Sequence, residues 1–147
     1  MNTQTPSIIF SVWNAECSES ANRDNVLWIK RQLTKRSIGY LVGEGCYKGK
    51  HEPALIVHDI GDTLSFVQRF ARVFKQESIL RIDANNQARL EKPDGTLIAG
   101  LGNFRAVPEQ VARKRDAWTR LGDKFFIGTA PYSIPKFPAF KGVSIHG

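Results

Sequence analysis

The sequence predicts a small α+β domain, on three observations. Short apolar runs of strand length recur along it, two stretches between them space their apolar residues by three and four, and polar or glycine-bearing turns separate most of these segments. Ile8 to Trp13 is the first such run, and the Ser-rich segment Asn14 to Ala21 breaks it. From Asn22 the spacing is helical, with Val26, Ile29 and Leu33 on one face; Asn22 reads as the N-cap and the helix should end near Ser37.

Ile38 to Cys46 reads as a second strand loosened by Gly43 and Gly45, Tyr47 to Pro53 as a charged turn, and Ala54 to His58 as a third strand in hairpin with the second. Asp59 to Asp62 supplies turn and capping residues for a second amphipathic helix, marked by Leu64, Val67, Phe70, Ala71 and Phe74. Ser78 to Ile82 is a fourth strand. This order is that of the split βαβ unit, so the expected architecture is a ferredoxin-like βαββαβ antiparallel sheet with two covering helices.

Beyond that unit, Gln87 to Glu91 and Thr96 to Ala99 flank Lys92-Pro93-Asp94-Gly95, a turn signal that predicts an added hairpin. Pro108 to Leu121 is predicted as a C-terminal helix, with proline at its start and Gly122 just past its end. The tail, 128–147, interleaves Pro131, Pro135 and Pro138 with Tyr132, Phe137 and Phe140, which excludes a regular helix or an inner strand. Packing over the domain or against a neighbouring subunit, and partial disorder, both stay open for it. A single domain over 1–147 is expected, because a chain of this length buries about two thirds of its unfolded surface and no repeat or linker divides it.

No stretch approaches the ~20 apolar residues of a transmembrane helix, and no export signal is visible, so a cytoplasmic protein is expected. Cys17 and Cys46 could pair in an oxidising compartment, but a chain that builds its own core does not need the staple, and reduced thiols are expected. A net charge of +7 attracts nucleic acid, anionic membranes and acidic small molecules alike, and the basic clusters at Lys35-Arg36 and Arg113-Lys114-Arg115 are short. Gly43 to Lys50 superficially resembles a phosphate-binding loop, but its spacing is one residue too long, His51 stands where Ser or Thr would hold magnesium, and a strand follows. His51, His58, His146 and the cysteines show no paired metal-ligand spacing, so no metal is expected.

Chemistry is carried by a set of short motifs in order: Ser11 to Asn22, Leu33, Gly45-Cys46-Tyr47, Glu52 leading into a strand, Phe74-Lys75-Gln76-Glu77, and Phe104-Arg105-Ala106-Val107-Pro108. In these residues the chain resembles the S-adenosylmethionine lyases of T3-like phages, long called hydrolases. The segment between Tyr47 and Glu52 is shorter than in the phage family, and the Pro-rich tail has no counterpart there. The resemblance implies a reaction that splits S-adenosylmethionine into methylthioadenosine and homoserine lactone, the substrate's own carboxylate displacing the sulfonium. It also implies no cofactor, a homotrimer with sites between subunits, and a phage anti-restriction role in the host cytoplasm.

By the same resemblance Tyr47, Glu52 and Gln76 are the catalytic candidates and Ser11, Asn22 and Cys46 the substrate-binding ones. Tyr47 would offer its ring to the sulfonium, Glu52 would pair with the α-ammonium or the sulfonium, and Gln76 would hold the carboxylate or the ribose. Taken singly each has a plainer reading: Tyr47 a half-buried turn aromatic, Glu52 a solvated loop charge, Gln76 a helix end bonding nearby backbone. Trp13, Trp28 and Trp118 could stack adenine, though core packing accounts for them as well. Two other functions compete: a nucleic-acid-binding module, for which the sheet lacks exposed aromatics, and a non-catalytic sensor of adenosine ligands.

Overall fold

The computed structural model describes residues 4–47 and 49–130. In chain order its elements are β1 (Ser7–Phe10), α1 (Glu19–Lys35), β2 (Tyr40–Tyr47), β3 (Lys50–His58), α2 (Thr63–Val73), β4 (Ile79–Ile82), β5 (Gln87–Glu91), β6 (Leu97–Val107), α3 (Glu109–Ala112), β7 (Ala117–Leu121) and β8 (Lys124–Gly128). The strands close into an antiparallel barrel in the order β1-β3-β2-β7-β8-β6-β5-β4. The expected open ferredoxin-like sheet is therefore incorrect. The first six elements come in the anticipated order, but β7 takes the edge of β2 through Glu44–Tyr47 and β5 takes the edge of β4. Closure pairs the two edges that an open sheet would have left bare.

Of the strands of the first half, β1, β3 and β4 are apolar on both faces. Ile8 and Phe10 of β1, Leu55 and Val57 of β3 and Ile79 of β4 pack outward under Ile29 and Leu33 of α1 and Phe66, Val67, Phe70 and Ala71 of α2. Ile9, Ala54, Ile56, Leu80 and Ile82 face the barrel interior with Ala88. α1 begins four residues earlier than expected, because Ser18 and not Asn22 is the N-cap and its hydroxyl accepts from the Ala21 N–H at 3.1 Å. Asn22 is buried within the first turn. Trp28 is 39% exposed on α1 and meets Phe70 edge-on at 5.1 Å.

The second half departs further from expectation. The Lys92–Gly95 hairpin is present, with Gly95 at φ +94°, but β6 continues well past Ala99. It leaves β5 at Asn103 and pairs with β8 from Phe104 onward. Gly102 permits this change of partner: its φ is +73°, and a Cβ there would lie 2.7 Å from the Ala130 nitrogen. The predicted Pro108–Leu121 helix is a correction too. Only Glu109–Ala112 is helical, and Ala117–Leu121 forms a hairpin with Lys124–Gly128 across Gly122-Asp123, with Gly122 at φ +61°. Gly122 is thus a hairpin turn residue and not a helix stop. Trp118, Phe125 and Ile127 then pack with Cys46 beneath Ala112 of α3, outside the barrel.

Outside the barrel near β4, Arg81 joins Asp59 at 2.8 Å and Glu91 at 3.4 Å, and Arg89 adds a contact to Glu91 at 3.3 Å. The cluster ties the β3–α2 turn to β5. Among the described residues no helix is long and apolar enough to cross a membrane. Beyond Ala130, the proline-rich tail lies outside the described residues.

Candidate functional site

Barrel closure turns the inner faces of the strands into the wall of a cavity of ≈ 660 Å³, within the usual range for small-molecule sites, about 300–1,000 Å³. Apolar side chains line it, among them Ile9, Leu80, Leu90, Leu101 and Phe104, and so do the polar or charged Ser11, Glu16, Lys50, Glu52, Lys75, Gln76 and Glu77. Alternation along the β2–β3 hairpin explains which residues look in. Tyr47 pairs with Lys50 and Gly45 with Glu52, and these positions share the inner face with Ala54.

Glu52 is consequently a strand residue. The segment expected as a charged turn up to Pro53 is mostly strand: β3 begins at Lys50, which pairs with Tyr47, and Gly49 just before it has φ +79°. Burial pushes the Glu52 carboxyl above the ordinary carboxylate range; Lys50 draws it back, and Glu77, also at the cavity, raises it again. Glu16, Glu52 and Glu77 line the cavity together with Lys50 and Lys75, so the charged part of its lining carries one more negative than positive side chain.

Gln76 lines the cavity from the loop after α2, and its Nε2 donates to the Trp13 carbonyl at 2.6 Å. Asn22 is 1% exposed and does not line the cavity. Its Oδ1 accepts from the Asn14 N–H at 2.8 Å, while its Nδ2 donates to the Asn14 carbonyl at 2.8 Å and to that of Cys17 at 3.4 Å. Gln76 and Asn22 therefore pin, from two sides, the loop that brings Trp13, Asn14 and Glu16 to the rim. Ser11 lines the cavity with its hydroxyl accepting from the Trp13 N–H at 3.0 Å.

Cys46 is at the cavity edge, but its strand position sends its side chain outward into the cluster under α3, where burial raises the thiol pKa. Tyr47, Glu52, Gln76 and Ser11 are thus gathered around one cavity, Asn22 supports its rim from behind, and Cys46 faces away.

The S-adenosylmethionine lyase family model matches residues 8–129, from β1 through the end of β8. The chain belongs to that family. The matched span contains β1 from Ile8, all of β2 to β8, and every cavity residue named above. No curated protein matches the chain. As a lyase of this family it is an enzyme acting on S-adenosylmethionine, a substrate that carries a sulfonium, an amino acid and an adenosine.

Several lining residues escaped the sequence reading of site roles: Lys50, Glu77, Thr119 and Phe126. Thr119 and Phe126 come from the β7–β8 hairpin, so only its Gly122-Asp123 turn, read as a hairpin, would have placed them on an inner face. Among the described residues no group of histidine, cysteine, aspartate and glutamate is arranged to hold a metal ion.

Proposed function

We propose that this lyase converts S-adenosylmethionine to methylthioadenosine and homoserine lactone inside the barrel. The observation that carries the reading is Glu52: a partly buried carboxylate on an inner wall that also holds Glu77, facing a cavity of nucleoside size with both apolar and charged lining. In the reaction an oxygen of the substrate's carboxylate forms a bond to its own γ-carbon. The γ-carbon–sulfur bond breaks and its electron pair stays on sulfur, leaving a neutral thioether. No proton moves and no water enters.

Two physical effects suit this chain to that step. Folding the methionine arm so that its carboxylate approaches the γ-carbon can supply about 7–11 kcal/mol of barrier lowering through orientation. The attacking carboxylate and the sulfonium also cancel one another's charge on the way to products, so apolar wall residues such as Ile9, Leu80, Leu90 and Leu101 favour the transition state over the separated charges. Glu52 pairs with the α-ammonium and turns the carboxylate toward the γ-carbon. Tyr47 presents its ring toward the sulfonium, an attraction worth about 0.5–2 kcal/mol. Gln76 holds the rim loop through Trp13 and closes the polar end of the cavity.

With this activity we propose a homotrimer in the host cytoplasm, serving to deplete the methyl donor on which restriction systems depend. Incubation with S-adenosylmethionine in ¹⁸O-water, followed by mass spectrometry, tests the chemistry. Methylthioadenosine with unlabelled homoserine lactone is expected; labelled homoserine formed without a lactone phase would establish hydrolysis instead. Glu52→Gln and Tyr47→Phe should form the same products more slowly.

A further inference from the structure

One row of the inner wall crosses four strands. Glu52 of β3 pairs with Gly45 of β2, Gly45 with Thr119 of β7, and Thr119 with Phe126 of β8. Partners directly opposite share a face, so all four point into the barrel. At ~4.8 Å per strand, three steps separate the carboxylate from the aromatic ring by roughly 14 Å along the wall. Gly45 adds no side chain to this row, and Thr119, 4% exposed, is its one small polar member.

At the far end the Phe126 ring lies nearly parallel to that of Phe104 on β6, with 10° between the planes and centroids 5.4 Å apart. Both are half-buried and both line the cavity. A pair serving only as core filler would be covered on all sides. Here two parallel rings keep surface toward an open volume, which is the arrangement a third flat ring joins by offset stacking.

We propose that Phe104 and Phe126 form the purine-binding wall of the cavity, taking the adenine ring by stacking, with the Thr119 hydroxyl beside the ribose. This rests on the lyase reading for the identity of the ligand. It divides recognition between two ends: Glu52 reads charge, and the aromatic pair reads the base. A neutral adenosine thioether therefore binds through the aromatic end alone.

Calorimetric titration with methylthioadenosine, which lacks both the sulfonium and the amino acid, separates the two ends. Phe126→Leu, which keeps the wall apolar, should weaken binding about 3- to 10-fold, matching a lost stacking term of ~0.5–1.5 kcal/mol, while Glu52→Gln should leave it within about 2-fold. Nuclear Overhauser contacts from the adenine H2 and H8 protons to phenylalanine ring protons should appear in the wild type and fade in Phe126→Leu. Unaltered affinity and contacts in a folded Phe126→Leu would overturn the proposal, as would a wild type that binds no adenosine compound. A wild type that binds methylthioadenosine with these contacts yet never consumes S-adenosylmethionine would overturn the lyase reading and leave the purine wall standing.

Discussion

The two halves of the barrel solve the same closure problem with different means. β1, β3 and β4 bury both faces, one against α1 and α2 and one against the interior. Among the described residues, β5 to β8 have the single turn of α3 outside them, and their outward cluster is the small one around Trp118 and Phe125. The first half therefore holds most of the packing that stabilises the fold. The second half completes the wall of a cavity whose three carboxylates, Glu16, Glu52 and Glu77, all come from the first. The site lies where a well-packed half meets a thinly covered one.

This contrast can be broken most severely by emptying the helix-side core. Leu33→Ala, at a fully buried α1 position, should cost about 2–5 kcal/mol in chemical denaturation, whereas Val111→Ala on α3, 41% exposed, should cost well under ~1 kcal/mol. Equal losses would mean the second half carries as much stability as the first.

Glu52→Gln should lower kcat/KM for S-adenosylmethionine by about 100-fold or more without loss of stability, because the variant removes a desolvated carboxylate and keeps its shape. Its pH dependence follows from the raised pKa. The folded chain holds more protons than the unfolded one between the ordinary carboxylate range and the raised value, so stability falls as pH rises through that window. Activity, which uses the ionised form, should rise through the same window, and Glu52→Gln should flatten both profiles.

Asn22→Ala leaves the Asn14 backbone groups without their buried partner and should cost about 1–3 kcal/mol. If Asn22 acts only through the rim loop, KM should rise more than kcat falls. The smallest effect is expected at the α1 N-cap, where Ser18→Ala should cost ~1 kcal/mol with turnover unchanged.

The same contrast explains how far the sequence could be read. In β1, β3 and α2 the apolar pattern is dictated by a helix–sheet core, so Ile8, Val57, Phe66 and Phe70 declare strand and helix by period alone. In β6 and β8 only the inner face and a small outer cluster are apolar, and glycines interrupt the pattern at Gly100, Gly102 and Gly128. The segment from Pro108 mimicked a helix because its start is one, and the period could not report where pairing with β2 took over. Closure itself depends on long-range pairing of β7 with β2 and β4 with β1, which no local signal encodes. Tyr47, Glu52 and Gln76 were found through the family pattern, and the charge environment of Glu52 became visible only once the hairpin register set its face.

The claim that the barrel interior is where S-adenosylmethionine reacts is tested most directly by filling it. A Cβ at Gly45 makes only ordinary contacts, 3.7 Å from the Ala54 Cβ, and points into the cavity between Glu52 and Thr119. Gly45→Val should keep the fold, with an unchanged circular dichroism spectrum, and should lose S-adenosylmethionine turnover by at least about 100-fold. Turnover at the wild-type rate in the folded variant would place the reaction elsewhere on the molecule.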